Sequence, residues 1–141
     1  MLLHEIMTLQ PTTIGPEASV LEAAQRLQEA RVGCLLVVKD DVLEGVLTDR
    51  DIVVRCLASG HNAGSCRVSS HMTQPVVTAP HTMDVLEAAH LMTEHSIKRV
   101  PITEHGRLVG VVSSSDVAAA IDRPVHDLLV GMRKPRRVSP P

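Results

Sequence analysis

The spacing of apolar residues along the chain changes several times, and the changes come in a fixed order. Val20, Ala23, Ala24, Leu27 and Ala30 fall at intervals of mostly three or four residues, which places them on one face of a helix. Ser19 with Glu22 fits a capping box at the start of that stripe, and Gly33 fits a stop at its end. Cys34 to Val38 is a short unbroken apolar run and reads as a buried strand. Lys39-Asp40-Asp41 makes a polar turn, Val42 to Leu47 returns as a second strand, and Thr48 to Leu57 reads as a second helix. Ahead of all these, residues near Thr12 to Ile14 form a short extended piece closed by Gly15-Pro16.

The order then repeats. Val20-Leu21-Glu22-Ala23-Ala24 recurs unchanged as Val85-Leu86-Glu87-Ala88-Ala89, 65 residues on. Met7-Thr8 recurs as Met72-Thr73 at the same spacing, while Pro11 and Pro16 recur as Pro75 and Pro80 at a spacing of 64. In the second copy Val76-Val77-Thr78 is the extended piece, and Val85, Ala88, Ala89 and Met92 form the helical stripe. Arg99 to Ile102 begins a strand, Glu104-His105-Gly106 turns, Leu108 to Val112 pairs back, and Ser113 to Ile121 closes as a helix. The chain is therefore a tandem duplication of a β-α-β-β-α unit, of the α/β (α+β) class. Neither copy alone buries a comfortable core, so the two small sheets are expected to pack as one unit. The first repeat is assigned to residues 1–60, a linker to 61–71 and the second repeat to 72–123. In the extension over 124–141, Pro124 to Met132 is expected to form a separate short helix. Arg133-Lys134-Pro135-Arg136-Arg137 is expected to be a basic, disordered tail.

Composition narrows the function classes. The chain contains no Phe, Tyr or Trp, which removes the stacking platforms that single-strand nucleic-acid binders use. A net charge of −2 provides no general attraction to nucleic acid or an anionic membrane. No apolar run approaches a membrane span, and the N-terminus lacks the pattern of a signal peptide, so a cytoplasmic protein is expected. Cys34, Cys56 and Cys66 form no CxxC pair and read as reduced, inert thiols. The eight histidines show no metal-ligand spacing, and no nucleophile–base set can be assembled. No catalytic residue and no metal site is assigned.

One pattern carries chemistry. Gly45-Val46-Leu47-Thr48-Asp49-Arg50-Asp51 returns as Gly110-Val111-Val112-Ser113-Ser114-Ser115-Asp116, again 65 residues on. Each copy places a hydroxyl and a carboxylate where a strand ends and a helix begins. Thr48 with Asp51 and Ser113 with Asp116 satisfy a plain capping box. The same turns, beside unpaired N–H groups, can also hold a sugar diol with a phosphate nearby.

Twin β-α-β-β-α units, each ending in Gly-apolar-apolar-Thr/Ser-x-x-Asp, resemble a pair of CBS domains, the repeats named after cystathionine β-synthase. Ile6-Met7-Thr8, His71-Met72-Thr73 and Arg99-Val100-Pro101-Ile102 add to the resemblance, which covers about residues 4 to 122. It implies a pseudo-two-fold disc and a stand-alone regulatory module rather than an enzyme. The implied ligands are AMP, ADP, ATP, S-adenosylmethionine or NAD(H), held in clefts between the repeats. A homodimer and a separate protein partner are implied as well. Carried onto this chain, Asp51 and Asp116 would meet the ribose, assisted by Thr48 and Ser113. Arg50, Lys98 and Arg99 would face phosphate, and Ile14, Val77, Thr78 and Val100 would line the adenine slot. Gly33 and Cys34, the first-copy counterparts of Lys98 and Arg99, carry no charge, so the two clefts are expected to differ. The alternatives are a ligand-free dimerisation scaffold, or nucleic-acid association through the basic tail.

Overall fold

The computed structural model of the protein describes residues 1–133; of the basic tail expected from Arg133 onward, Arg133 ends the last helix and the rest lies outside the described residues. The first copy contributes β1 (Thr13–Ile14), α1 (Val20–Ala30), β2 (Cys34–Lys39), β3 (Val42–Thr48) and α2 (Asp49–Asp51), which runs on as a π-helical stretch (Ile52–Leu57). The second contributes β4 (Ala79–Pro80), α3 (Val85–His95), β5 (Arg99–Glu104), β6 (Arg107–Ser113) and α4 (Ser114–Arg133).

The strands form one six-stranded sheet in the order β1-β2-β3-β6-β5-β4. The hairpins turn through Asp40–Asp41 (φ 51° and 65°) and His105–Gly106 (φ 52° and 78°), paired left-handed residues whose twist suits antiparallel strands. The halves of the sheet meet at the hairpin tips, where Val42 pairs with Arg107 and the Leu108 N–H donates to the Asp41 carbonyl at 3.1 Å. The expected α/β architecture and its pseudo-two-fold repeat are thus present.

Each copy's opening segment is packed into the other copy's core. Leu3, in a single 3-10 turn (Leu3–Glu5), is fully buried against Val85, Ala88, Val100 and Val112 of the second copy. Val68 lies 65 residues further on in the matching turn (Val68–Ser70) and is fully buried against Val20, Leu35 and Leu47 of the first. Two separate apolar clusters result, each completed by a residue from the opposite copy. A small unit short of core material gains buried apolar area by this exchange, and the exchange ties the two copies together. Residues 68–71, expected to be linker, are therefore structural.

The exchange also explains two glycines. Met7 and Thr8 cross β6, with the Thr8 N–H donating to the Val111 carbonyl at 2.9 Å; Met72 and Thr73 cross β3, with Thr73 donating to Val46 at 2.8 Å. A Cβ on Gly110 would lie 2.9 Å from both the Met7 sulfur and the Thr8 carbonyl oxygen, and one on Gly45 would lie 2.6 Å from the Met72 sulfur. Both glycines allow a crossing strand to approach closely.

Other boundaries also differ from expectation. Helix α1 stops at Ala30, before Gly33, because Arg31 takes the left-handed conformation (φ 54°) and the Val32 N–H reaches the Leu27 carbonyl at 3.2 Å, a Schellman closure. Strand β4 forms at Ala79–Pro80 rather than 76–78, since Ala79 is the residue that pairs with Ile102 in the core. This leaves Val76, Val77 and Thr78 outside the sheet. The closing helix does not stop near Ile121 and restart at Pro124, but runs through Pro124 to Arg133. Proline removes one helical hydrogen bond, while Ala120 and Ile121 just before it hold the helix against the second core cluster.

Candidate functional site

The two duplicated turns close as reciprocal capping boxes. Asp51 Oδ2 accepts the Thr48 N–H at 3.0 Å, and Thr48 Oγ1 accepts the Asp51 N–H at 3.0 Å. Asp116 Oδ2 accepts the Ser113 N–H at 2.9 Å, and Ser113 Oγ accepts the Asp116 N–H at 3.1 Å. In both turns one carboxylate oxygen is occupied locally, leaving the other to be used or not. Arg55 Nε lies 3.7 Å from Asp51 Oδ1, and Thr73 Oγ1 donates to Asp51 Oδ2 at 3.5 Å. The position equivalent to Arg55 is Ala120. Among the described residues Asp116 has no ion-pair partner, so the Asp116 turn keeps more of its acceptor capacity.

Each turn borders a cleft between the copies. One cleft, of about 300 Å³, is lined by Ser113, Asp116, Thr8, Val32, Leu36 and Val111, with Cys34 and Arg99 at its side. The other, of about 250 Å³, is lined by Thr48, Asp51, Thr73, Ile97, Pro101 and Val46, with Val76, Val77 and Arg99. Most of these residues are matched across the 65-residue repeat: Thr8 with Thr73, Val32 with Ile97, Leu36 with Pro101. Arg99 is common to both clefts and is the cation shared by them. Its first-copy counterpart is Cys34. Burial pushes the Cys34 thiol above its ordinary value; Arg99 draws it down, and Asp51 and Asp49 push it up.

Thr48, Asp51, Val77, Arg99, Ser113 and Asp116 thus all border the clefts. Ile14 and Val100, expected to line an adenine slot, are instead 2% and 0% exposed within the first and second cores. Alternation along β5 explains Val100: it faces the helices, while Arg99 and Pro101 on either side face the cleft. Lys98 lines neither cleft, and its carbonyl accepts the Ser114 N–H at 2.7 Å. Arg50 borders a separate surface depression with Val53 and Val54. Thr78 lines a neighbouring hollow with Val42, Glu44 and Thr103. The apolar cleft walls Val32, Leu36, Val46, Ile97 and Val111 were not foreseen. The repeat offers the signal for them, because Val32 and Val46 recur 65 residues on as Ile97 and Val111, and Leu36 as the cleft residue Pro101.

A second constellation was also missed. Cys56, Cys66 and His71 place their sulfur and nitrogen ligand atoms within 4.8 Å of one another. Cys56 and His71 are buried, and Cys66 is half-buried. Burial pushes the Cys56 thiol up, and Cys66 adds to the rise.

Paired clefts between two intertwined β-α-β-β-α units, each with a hydroxyl–carboxylate turn at a helix head, define a two-repeat ligand-binding fold. Comparison with known proteins gives its family. The CBS domain profile matches residues 3–57 and 68–123, and the chain belongs to the CBS-domain family as a pair of repeats. It is 39% identical over 114 residues to the CBS domain-containing protein YhcV of Bacillus subtilis, covering 81% of each chain. It is 33% identical over 116 residues to Hypoxic response protein 1 of Mycobacterium tuberculosis, covering 82% of this chain and 81% of that protein. The crystal structure of Hypoxic Response Protein I with two coordinated zinc ions superposes with a TM-score of 0.78 at 32% identity, over 84% of this chain and 98% of that one. The CBS domain pair of protein MJ0100, in complex with 5′-methylthioadenosine and S-adenosyl-L-methionine, superposes with a TM-score of 0.77 at 28% identity, over 88% and 98%. A hexameric CBS-CP12 protein from bloom-forming cyanobacteria superposes at 0.73 and 30% identity, over 84% and 66%. CBS pairs are in general regulatory ligand-binding modules. Among the described residues no helix is long and apolar enough to cross a membrane.

Proposed function

We propose that this chain is a regulatory module that binds an adenosyl ligand in the clefts between its repeats. The observation that carries the reading is the matched pair of clefts, each joining a hydroxyl–carboxylate turn to an apolar wall. The carboxylate and hydroxyl suit a ribose diol, and the aliphatic walls suit an adenine ring in a chain without aromatic residues. The complex of the MJ0100 pair with 5′-methylthioadenosine and S-adenosyl-L-methionine supports this ligand class.

The clefts also favour some adenosyl ligands over others. At about 300 and 250 Å³ they sit at the small end of ligand pockets. A single arginine serves both. This favours AMP or S-adenosylmethionine over ATP or a dinucleotide, whose extra phosphates meet no further cation among the described residues that line the clefts. The Asp116 cleft is the stronger of the two, because Arg55 and Thr73 already engage Asp51.

Occupancy would be read through geometry, and a ligand shifts such an equilibrium only by its differential affinity for two shapes. A homodimer is the simplest reader. Leu21 on α1 and its counterpart Leu86 on α3 are 47% and 58% exposed, and Val53, Val54 and Leu57 are exposed on the π-helical stretch. Assembly of the CBS-CP12 protein into hexamers supports self-association as a habit of the fold.

Thermal melts followed by far-UV circular dichroism test the reading. At about 100 times its dissociation constant a ligand adds roughly 2.7 kcal/mol. AMP or S-adenosylmethionine should raise the melting temperature of the wild type and, at the same concentration, raise that of Asp116→Ala by less. Unchanged melts with every adenosyl ligand at millimolar concentration would leave a ligand-free scaffold as the better account.

A further inference from the structure

We propose that Cys56, His61, Cys66 and His71 form a site for one thiophilic divalent cation of the zinc class. The four residues recur at intervals of five, Cys-x4-His-x4-Cys-x4-His, within a single stretch of chain. Folding turns that sequence run into a cluster. Cys56 lies on the π-helical stretch, and the wide turn there is sealed by the His61 N–H donating to the Cys56 carbonyl at 3.0 Å. The loop then returns so that Cys66 and His71 face Cys56, with the ligand atoms of all three within 4.8 Å. His61, exposed at the mouth, has its ring centroid 5.3 Å from that of His71 and tilted by 50°.

Two sulfurs and two imidazoles form the tetrahedral donor set that zinc prefers. With metal–sulfur bonds near 2.3 Å and metal–nitrogen bonds near 2.0 Å, neighbouring ligand atoms would stand about 3.5 Å apart. The cluster need close by only about an ångström, with His61 swinging in as the fourth ligand. His71 supports the assignment: it is 6% exposed, and Arg55 reaches its carbonyl rather than its ring, at 3.4 Å. A buried imidazole facing two thiols is arranged for coordination, and binding would displace the thiol protons.

The site also touches the clefts. Arg55, next to Cys56, bonds the His71 and Met72 carbonyls and pairs with Asp51. A cation here would fix the strap that carries Thr73 onto Asp51.

The experiment is a cobalt titration of the reduced, metal-stripped full chain, without nucleotide, so its result is independent of the adenosyl reading. One equivalent of cobalt should produce tetrahedral visible bands and a thiolate charge-transfer band, the latter in a near-ultraviolet region clear of aromatic absorption, and zinc should erase both. Cys66→Ser should at least halve the charge-transfer band. His61→Ala, at an exposed position that leaves folding intact, should weaken cobalt binding by more than about 100-fold, beyond the roughly 10–100-fold span for losing a merely supporting partner. Cys34→Ser, outside the cluster, should leave the cobalt bands unchanged. Absence of tetrahedral bands in the folded wild type, or a charge-transfer band of undiminished intensity in Cys66→Ser, would overturn the proposal. A reduced chain that takes no cobalt but readily oxidises Cys56 to Cys66 would also overturn it, making the pair a redox couple.

Discussion

Substituting Gly110 with alanine tests whether the crossing segments hold the repeats together. The added Cβ would stand 2.9 Å from the Met7 sulfur, 2.9 Å from the Thr8 carbonyl oxygen and 3.2 Å from Met7 Cγ. Methionine can swing aside cheaply. The Thr8 carbonyl cannot, because it accepts the Val111 N–H at 3.1 Å while Thr8 donates back at 2.9 Å. Overpacking of this kind costs about 1–3 kcal/mol. At this chain size each kcal/mol lowers the melting temperature by roughly 2–4 °C, so a fall of about 2–12 °C is expected. Gly45→Ala should cost less, since its close contacts at 2.6 and 2.9 Å are with the flexible Met72 side chain and the backbone oxygen stands at 3.1 Å. Gly15→Ala meets nothing within 4 Å and should be neutral, or stabilising by about 0.4–1 kcal/mol through the unfolded chain. Circular dichroism melts rank the three. A Gly110→Ala chain that melts with the wild type would refute the close-approach argument.

Further outcomes follow from the same contacts. Leu3→Ala should cost about 2–5 kcal/mol, and hydrogen exchange should show protection lost first in α3 and β5 of the opposite copy; loss confined to α1 and β2 would contradict the exchange. Because burial raises the Cys34 thiol, the folded chain keeps that proton where the unfolded chain begins to lose it. The stability it contributes is therefore present below the ordinary value of 9.0 and lost as pH rises through and above it. Alkylation of Cys34 should be slower in the folded than in the unfolded chain, and slower again in Arg99→Ala, where the charge that draws the thiol down is gone; faster alkylation in that variant would count against the shared-arginine geometry. A bound nucleotide should protect Cys34 in the Asp116 cleft, and failure to protect at saturation would place the ligand elsewhere.

Much of this was legible from one number, the 65-residue repeat. It gave the element order, the duplicated turn and the inequality of Arg99 and Cys34. Periodicity could not reveal the exchange, because Leu3 and Val68 are single apolar residues at segment starts and neither carries a pattern of its own. Arg99 borders the clefts as expected, whereas strand alternation turns its neighbour Val100 into the core and away from the slot that the family resemblance implied. Local pattern starts a separate short helix at Pro124, whereas packing of Ala120 and Ile121 carries α4 across it. The Cys/His cluster escaped because its spacing of five matches no familiar ligand pattern, and a loop rather than a single helix face gathers it.

The most direct test of the account is isothermal titration of AMP and S-adenosylmethionine into the wild type, Asp51→Ala and Asp116→Ala. Losing a charged hydrogen bond to a ribose hydroxyl is worth about 1.5–3 kcal/mol. Asp116→Ala should therefore bind roughly ten- to one-hundred-fold more weakly while keeping its circular dichroism spectrum, and Asp51→Ala should lose less. Equal affinity in all three chains, or no heat in the wild type at millimolar ligand, would contradict the central claim that the duplicated turns are the ribose sites.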